Sequence, residues 1–213
     1  MKDILEIFKE KFEVEEIDVK EFENVKVGPM KFSIHCYDVK DIGRLSIMNG
    51  KAMLGMMKMD TVMFTVFSKD VPAFSYDRIK AMGNDTLLFE LYNTCKDDNI
   101  SYPSLLSIKE KLKDVPVYKL DPCWYDAIRL KESVTVKGKK VTPLIDDVAS
   151  EYLSEFCNIV KNSPNFNKEV KELLQKNYVD HLLSDSGSST KMFIKYLGEE
   201  KTKELYHKYL FAI

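Results

Sequence analysis

The spacing of apolar residues predicts a short helix at the start of the chain and a series of strands after it. Ile4, Phe8 and Phe12 recur at helical intervals, which favours an amphipathic helix over residues 2–12. Beyond it come short apolar segments separated by turn residues, a pattern typical of β-strands. The predicted strands are Lys31–Tyr37, Arg44–Met48, Lys51–Met59, Thr61–Phe67, Ala73–Ala81 and Thr86–Tyr92.

Tight turns between these segments predict that neighbouring strands run antiparallel. Asn49-Gly50 is a strong two-residue hairpin signal, and Gly83-Asn84-Asp85 marks a second turn. Parallel strands need crossover connections of about a dozen residues, which such turns cannot supply. Farther along, Tyr125–Leu130 and Ser133–Val136 are predicted to form another strand pair, with a turn at Lys137-Gly138-Lys139.

Helical periodicity returns in Ser104–Leu112 and dominates the last third of the chain. There, Thr142 suits a helix cap and Pro143 suits the first helical position. Gly198 separates two short final helices.

Strands followed mostly by helices predict an α+β fold, a three-layer α/β/α sandwich with a central antiparallel sheet. The sequence contains no internal repeat and no linker long enough to divide two domains. We expect a single domain over residues 1–213, with the sheet mainly in 31–136 and the helical part in 142–213.

Composition and charge narrow the classes of function. The 213 residues are 45% hydrophobic and 31% charged, as in an ordinary folded globule. The formal net charge of −2 gives no overall attraction to nucleic acid or to an anionic membrane, so we expect neither as a partner. The sequence has no apolar run of membrane-span length and no signal-peptide core. We therefore expect a cytoplasmic protein, and a monomer.

Common motifs of nucleotide, metal and nucleophile chemistry are missing from the sequence. It has no GxGxxG, no Walker loop and no GxSxG, and its three histidines are far apart. The four cysteines form no CxxC pair, so we expect reduced thiols and no metal site. Met63 is one of several methionines crowded on two predicted strands, where they either fill the core or surround a flat apolar group.

Two segments resemble a known family. The first is an apolar strand followed by a proline segment, an aspartate, a glycine turn and a second strand: Val71-Pro72, Phe74, Asp77, Ile79, Gly83 and Leu87–Leu91. The second is a helix pair divided by Leu197-Gly198-Glu199 and ending in Leu210-Phe211. Both resemble the ferredoxin-dependent bilin reductases, which include the phycocyanobilin and phycoerythrobilin:ferredoxin oxidoreductases. The resemblance covers about residues 30–213 and is that of a divergent member.

The resemblance implies that Asp77 is the central proton donor. Apolar neighbours on a covered sheet would raise the pKa of this carboxyl by desolvation, so that it holds a proton near neutral pH. The alternative is an exposed strand aspartate paired with Arg78 or Lys80. Alternation places Ser75 on the same sheet face as Asp77, and this small side chain would leave room for a flat ligand.

Three further residues take roles from the resemblance. Ile128-Arg129 matches a strand-end pair whose arginine binds a substrate propionate, although a solvated arginine fits the sequence equally well. Asp60 stands where the family often has histidine or asparagine, just before the strand Thr61–Phe67. Asp185 lies two residues before the position of the family's second aspartate. Asp60 and Asp185 are thus candidate auxiliary proton donors.

Two classes of function follow from these residues. The first is an enzyme that binds a biliverdin-like open-chain tetrapyrrole, with Met63, Ser75 and Arg129 in contact with it, and reduces it. The resemblance implies no permanently bound cofactor, with electrons supplied by external reduced ferredoxin or flavodoxin. Such acidic donors need a basic surface. The final helices offer one, or merely a solvated helix face, in Lys191, Lys195, Lys201 and Lys203.

The second class is a non-catalytic protein that binds a tetrapyrrole or another flat ligand in the same pocket. The departures from the family at the auxiliary positions favour it. A third possibility is an unrelated α+β interaction module, which would lack a cleft beside Asp77.

Overall fold

A computed structural model describes residues 3–97, 99–185 and 187–213. The strands are β1 (Val14–Ile17), β2 (Asn24–Val27), β3 (Met30–Val39), β4 (Gly43–Ala52), β5 (Met57–Val66), β6 (Ala73–Ala81), β7 (Asn84–Tyr92) and β8 (Val134–Lys139). The α-helices are α1 (Ile4–Lys9), α2 (Pro103–Glu110), α3 (Thr142–Asn162), α4 (Lys168–Ser184), α5 (Ser188–Leu197) and α6 (Glu199–Glu204). A π-helical segment, Leu205–Leu210, continues α6.

One eight-stranded sheet forms the centre of the fold, in the order β1-β3-β4-β5-β6-β7-β8. Every strand pair is antiparallel. The short strands β1 and β2 share the outer edge of β3, where β2 pairs with its first half and β1 with its second. The predicted antiparallel meander is therefore confirmed.

Helices cover both faces of this sheet. On one, called here the α3 face, α1, α2 and α3 pack on alternate apolar residues of the strands. Phe89 stacks on Tyr152 there with ring centroids 4.1 Å apart, and Phe74 stacks on Phe156 at 4.3 Å. On the other, called the α5 face, α4, α5 and the C-terminal segment pack on the remaining side chains. The predicted three-layer α+β sandwich is confirmed.

The Asn49-Gly50 hairpin prediction is wrong, because β4 continues through both residues. Gly50 pairs with Met59 within the β4–β5 ladder, and two further residue pairs follow before the turn. A Cβ on Gly50 would lie 2.6 Å from Met30 Cε and 2.7 Å from Phe32 Cε1. The glycine therefore makes room for packing, and the turn lies at residues 53–56.

Other boundaries also differ from the prediction. Residues 124–128 form a short 3₁₀ helix, and the predicted strand at 125–130 is reduced to one bridge between Tyr92 and Arg129. Residues 137–139 continue β8 and make no turn. Thr142 lies inside α3, where its hydroxyl donates to Asp85 Oδ2 at 2.7 Å. The tight turn after β6 is Met82-Gly83, since Ala81 pairs with Asn84.

Candidate functional site

A cavity of about 330 Å³ lies between the α5 face of the sheet and the C-terminal helices. Ligand pockets usually occupy roughly 300–1,000 Å³. Much of its apolar wall comes from six methionines: Met30, Met48, Met57, Met59, Met63 and Met192. The polar side chains on its wall include Thr61, Ser75, Asp77, Glu90, Thr190 and Tyr206. This mixture suits a mostly apolar ligand held at a few polar points.

Strand register brings five side chains together on the cavity floor. Thr61 pairs with Asp77 across β5 and β6, and Met63 pairs with Ser75. Ser75 in turn pairs with Glu90 of β7. Directly paired residues in an antiparallel sheet point to the same face, so these five share the floor. Ser75 is the smallest of them and leaves space above the sheet.

Asp77 has the environment that a proton donor needs. The Thr61 hydroxyl donates a hydrogen bond to Asp77 Oδ1. Desolvation raises the pKa of Asp77 from 3.8 to about 7, helped by the charge of Glu90 and opposed by hydrogen bonds from Thr61 and Ser75. At neutral pH this carboxyl is divided between its protonated and ionised forms, as general acid–base chemistry requires. Its position on this face agrees with the predicted alternation, and its role stays a prediction.

Glu90 is a second carboxyl on the floor, and the sequence analysis did not single it out. Burial raises its pKa, whereas hydrogen bonding and charge from Tyr92 and Arg129 favour its ionised form. Arg129 Nη2 donates to Glu90 Oε1 at 2.8 Å. The sequence signal that could have revealed Glu90 was alternation in β7, which puts it on the same face as Tyr92. Placing it beside Ser75 also requires the register of β6 against β7.

Arg129 stands behind this carboxyl, outside the residues that line the cavity. Its guanidinium pairs with Glu90 and with Asp126, each at 2.8 Å, and its side chain is only 20% exposed. In the predicted propionate contact, the substrate carboxylate would therefore share the Arg129 guanidinium with two carboxylates of the protein.

Asp60 and Asp185 do not join Asp77. Asp60 lies on the α3 face, where Asn49 Nδ2 donates to its Oδ1 at 2.8 Å. The reason is the two-residue period of a strand, which gives the cavity-facing position to the next residue, Thr61. Asp185 is exposed at the C-terminal end of α4 and is absent from the cavity lining.

The remaining predicted residues lie as follows. Ser75 and Met63 line the cavity floor. The four lysines proposed to bind a partner are exposed along α5 and α6: Lys191, Lys195, Lys201 and Lys203. Their partner role stays a prediction.

Contacts at both ends of α4 hold this helix over the cavity. The Trp124 indole stacks on His181 with ring centroids 3.8 Å apart and donates to the Asp185 carbonyl at 3.0 Å. At the other end of the helix, the buried Lys171 ammonium donates to the carbonyls of Val71 and Thr94 at 2.6 and 2.7 Å. The helix that forms part of the cavity wall is thus tied to the sheet and to residues 124–128.

Within the described ranges, no group of three or more histidine, cysteine, aspartate or glutamate side chains is placed to hold a metal ion. Nor does any helix in the described ranges have the length and apolar character to cross a membrane.

Comparison with known proteins identifies the fold. No protein-family model and no curated protein matches the chain. Among solved structures, the crystal structure of phytochromobilin synthase from tomato in complex with biliverdin aligns with a TM-score of 0.73. The alignment covers 97% of this chain and 79% of that one. The chain has the fold of phytochromobilin synthase. With 9% sequence identity, this likeness extends to the fold alone.

Proposed function

We propose that the protein binds a biliverdin-like open-chain tetrapyrrole in this cavity and reduces it, with Asp77 as proton donor. The observation that carries the proposal is the Asp77 carboxyl, whose pKa is raised to about 7 on the floor of an apolar cavity. The shared fold with a protein whose structure holds biliverdin supports the class of ligand.

The chemistry follows from adding two electrons and two protons across one double bond of the ligand. Reduced ferredoxin or flavodoxin supplies the electrons one at a time. Asp77 gives one proton to the reduced ligand after the first electron, takes a proton from solvent, and gives it up after the second electron; the Thr61 hydroxyl stabilises its carboxylate form between the transfers. Methionine side chains around the ligand keep bulk water away from the intermediate.

A non-catalytic tetrapyrrole-binding protein is the second candidate. Asp60 and Asp185, the two predicted auxiliary acids, lie away from the cavity. Among the described residues that line it there is no histidine, and Asp77 and Glu90 are the carboxyl groups.

A titration followed by reduction separates the two candidates. Biliverdin is added to the protein while its absorbance spectrum is recorded, and reduced ferredoxin is then added without oxygen. If the protein is an enzyme, we expect the absorbance spectrum to change when biliverdin binds. Reduction should then bleach the bound bilin and give a new bilin, resolved by chromatography. Asp77→Asn should bind and lose turnover, whereas Asp185→Asn, outside the cavity, should retain both. Binding without a product supports the second candidate, and no binding contradicts both.

A further inference from the structure

Five lysines form a continuous row across the α3 face of the sheet. In strand register, Lys26 pairs with Lys31, Lys31 with Lys51, Lys51 with Lys58, and Lys58 with Lys80. Cross-strand partners share a face, so one lysine from each of β2 to β6 contributes to this lysine row. Neighbouring strands lie about 4.8 Å apart, which gives the row a length of about 19 Å.

The charges of this row are largely uncompensated. Lys26, Lys31, Lys51 and Lys58 are exposed, and none belongs to an ion pair between described residues. Lys80 is half-buried and faces Asp85 of β7, and its charge also acts on Asp146 of α3. The row therefore has a concentrated positive charge on a chain whose net charge is −2.

Folding does not explain this arrangement. Like charges directly opposite each other destabilise a sheet. Cβ atoms of directly opposite residues lie about 5 Å apart. This spacing is within the Debye length of roughly 8 Å at physiological salt, so the lysine charges repel each other. Lysines do protect exposed sheet edges from aggregation. Of the five strands that carry the row, however, only β2 lies at an edge of the sheet. The other four lysines are on the internal strands β3 to β6.

Apolar side chains stand exposed beside the row. Met53, Leu54 and Met56 are 50%, 106% and 67% exposed in the turn between β4 and β5, and Met82 is 80% exposed in the turn after β6. The φ angles of Met53, Leu54 and Met82 are 51°, 54° and 51°, in a region that residues other than glycine rarely occupy. Exposed methionines are typical of protein-binding surfaces, whereas nucleic-acid contacts are more polar.

We propose that the lysine row and these two turns dock an acidic protein, the electron donor that the proposed function requires. The inference rests on that function for the identity of the partner. Lys58 lies in β5 between Met57 and Met59, which both line the cavity from the opposite face. A protein docked on the row is thus separated from the ligand by the thickness of the sheet alone.

The experiment measures binding of oxidised ferredoxin, or of flavodoxin, to the bilin-free protein by calorimetry at low and high salt. Lys51→Thr/Lys58→Thr removes two central charges with residues suited to strands. Lys195→Ala/Lys201→Ala removes two charges from the α5–α6 surface. Lys161→Ala/Lys168→Ala is the remote control, because Lys69 Nζ donates to the Ser163 carbonyl and so places this region at the opposite end of the sheet.

Exposed ion pairs each contribute a modest amount, so the row variant should weaken binding by roughly twofold to thirtyfold at low salt. The loss should shrink at high salt, and the remote control should bind as the wild type does. The proposal is overturned if neither donor binds, or if the α5–α6 variant alone weakens binding. It is equally overturned if the row binds a single-stranded oligonucleotide and neither donor.

The binding assay contains no bilin, so the two proposals fail separately. Donor binding that depends on the row, without bilin reduction, supports the docking surface and contradicts the proposed function. If the donor reduces the bilin at the same rate in the wild type and in the row variant, the result supports the proposed function and contradicts the proposed docking surface.

Discussion

Replacing Asp77 by asparagine should remove one titrating group with little change in shape. The amide side chain introduced by Asp77→Asn would still accept the hydrogen bond from the Thr61 hydroxyl and would occupy the same place on the cavity floor. It cannot ionise. Any difference in pH dependence between the two proteins therefore reports on the carboxyl itself.

The sign and size of this difference follow from the raised pKa of Asp77, about 7 in the folded protein against 3.8 for the ordinary value. Between about pH 4 and pH 7 the native state keeps a proton that the unfolded chain has lost, so the free energy of unfolding falls as the pH rises. A tenfold change in proton affinity corresponds to about 1.4 kcal/mol. This one carboxyl should therefore lower the free energy of unfolding by roughly 4 kcal/mol between pH 4 and pH 8. Below pH 4 it should have no such effect.

Urea unfolding of the bilin-free protein between pH 4 and pH 8 tests this prediction. The free energy of unfolding of Asp77→Asn, relative to that of the wild type, should be higher at pH 8 than at pH 4. Asp114→Asn, at an exposed position, is the matched control and should follow the wild type. Parallel curves for the wild type and Asp77→Asn would refute the inference that this carboxyl is desolvated.

The same substitution tests catalysis. General acids contribute about 10²–10⁴-fold, so Asp77→Asn should lose turnover to that extent while still binding bilin. The protonated form is the donor, so the wild-type rate should fall as the pH rises through about 7. Unaltered turnover in single-turnover measurements would show that the proton comes from another group.

Three other substitutions test the geometry around the site. Arg129→Ala should lower the free energy of unfolding by about 1–3 kcal/mol in urea, because it leaves the buried Glu90 carboxylate unpaired, and adding Glu90→Gln should recover part of that loss. Ser75→Leu should fill the cavity floor and abolish bilin binding in a spectral titration, and retained affinity would place the ligand elsewhere. Lys51→Thr should raise the melting temperature more at low salt than at high salt, because it relieves repulsion with its cross-strand partner Lys58. An unchanged melting temperature would contradict repulsion between these two side chains.

Most of the central fold was predictable because each strand of the meander has a clear apolar period and a short connection. The strands β1 and β2 were not, since each has four residues and alternates charged with apolar side chains too briefly to be distinguished from a loop. Gly50 misled the prediction because a glycine that prevents a clash between strands and one that permits a turn are the same letter. Only the position of Met30 and Phe32 distinguishes them.

The site shows where strand periodicity is informative and where it is not. Alternation alone put Asp77 and Ser75 on one face. Asp60 lies one position away from the residue that faces the cavity. Family resemblance gave its place in the sequence and not the register of β5 against β6. Its role as an auxiliary acid stays a prediction. Glu90 and Arg129 meet only through the pairing of Tyr92 with Arg129, a contact between residues far apart in sequence.

The strand β5 connects the two proposed roles of the protein. Met57, Met59 and Thr61 face the cavity, whereas Lys58 and Asp60 face the opposite side. A shift of one residue in strand register would exchange the two sets completely. Docking of an acidic protein and placement of the proton donor therefore depend on one register, which the pairing of β5 with both β4 and β6 fixes. An insertion of one residue within β5 should consequently abolish ligand binding and donor binding together, whereas one in the exposed turn at residues 53–56 should spare ligand binding.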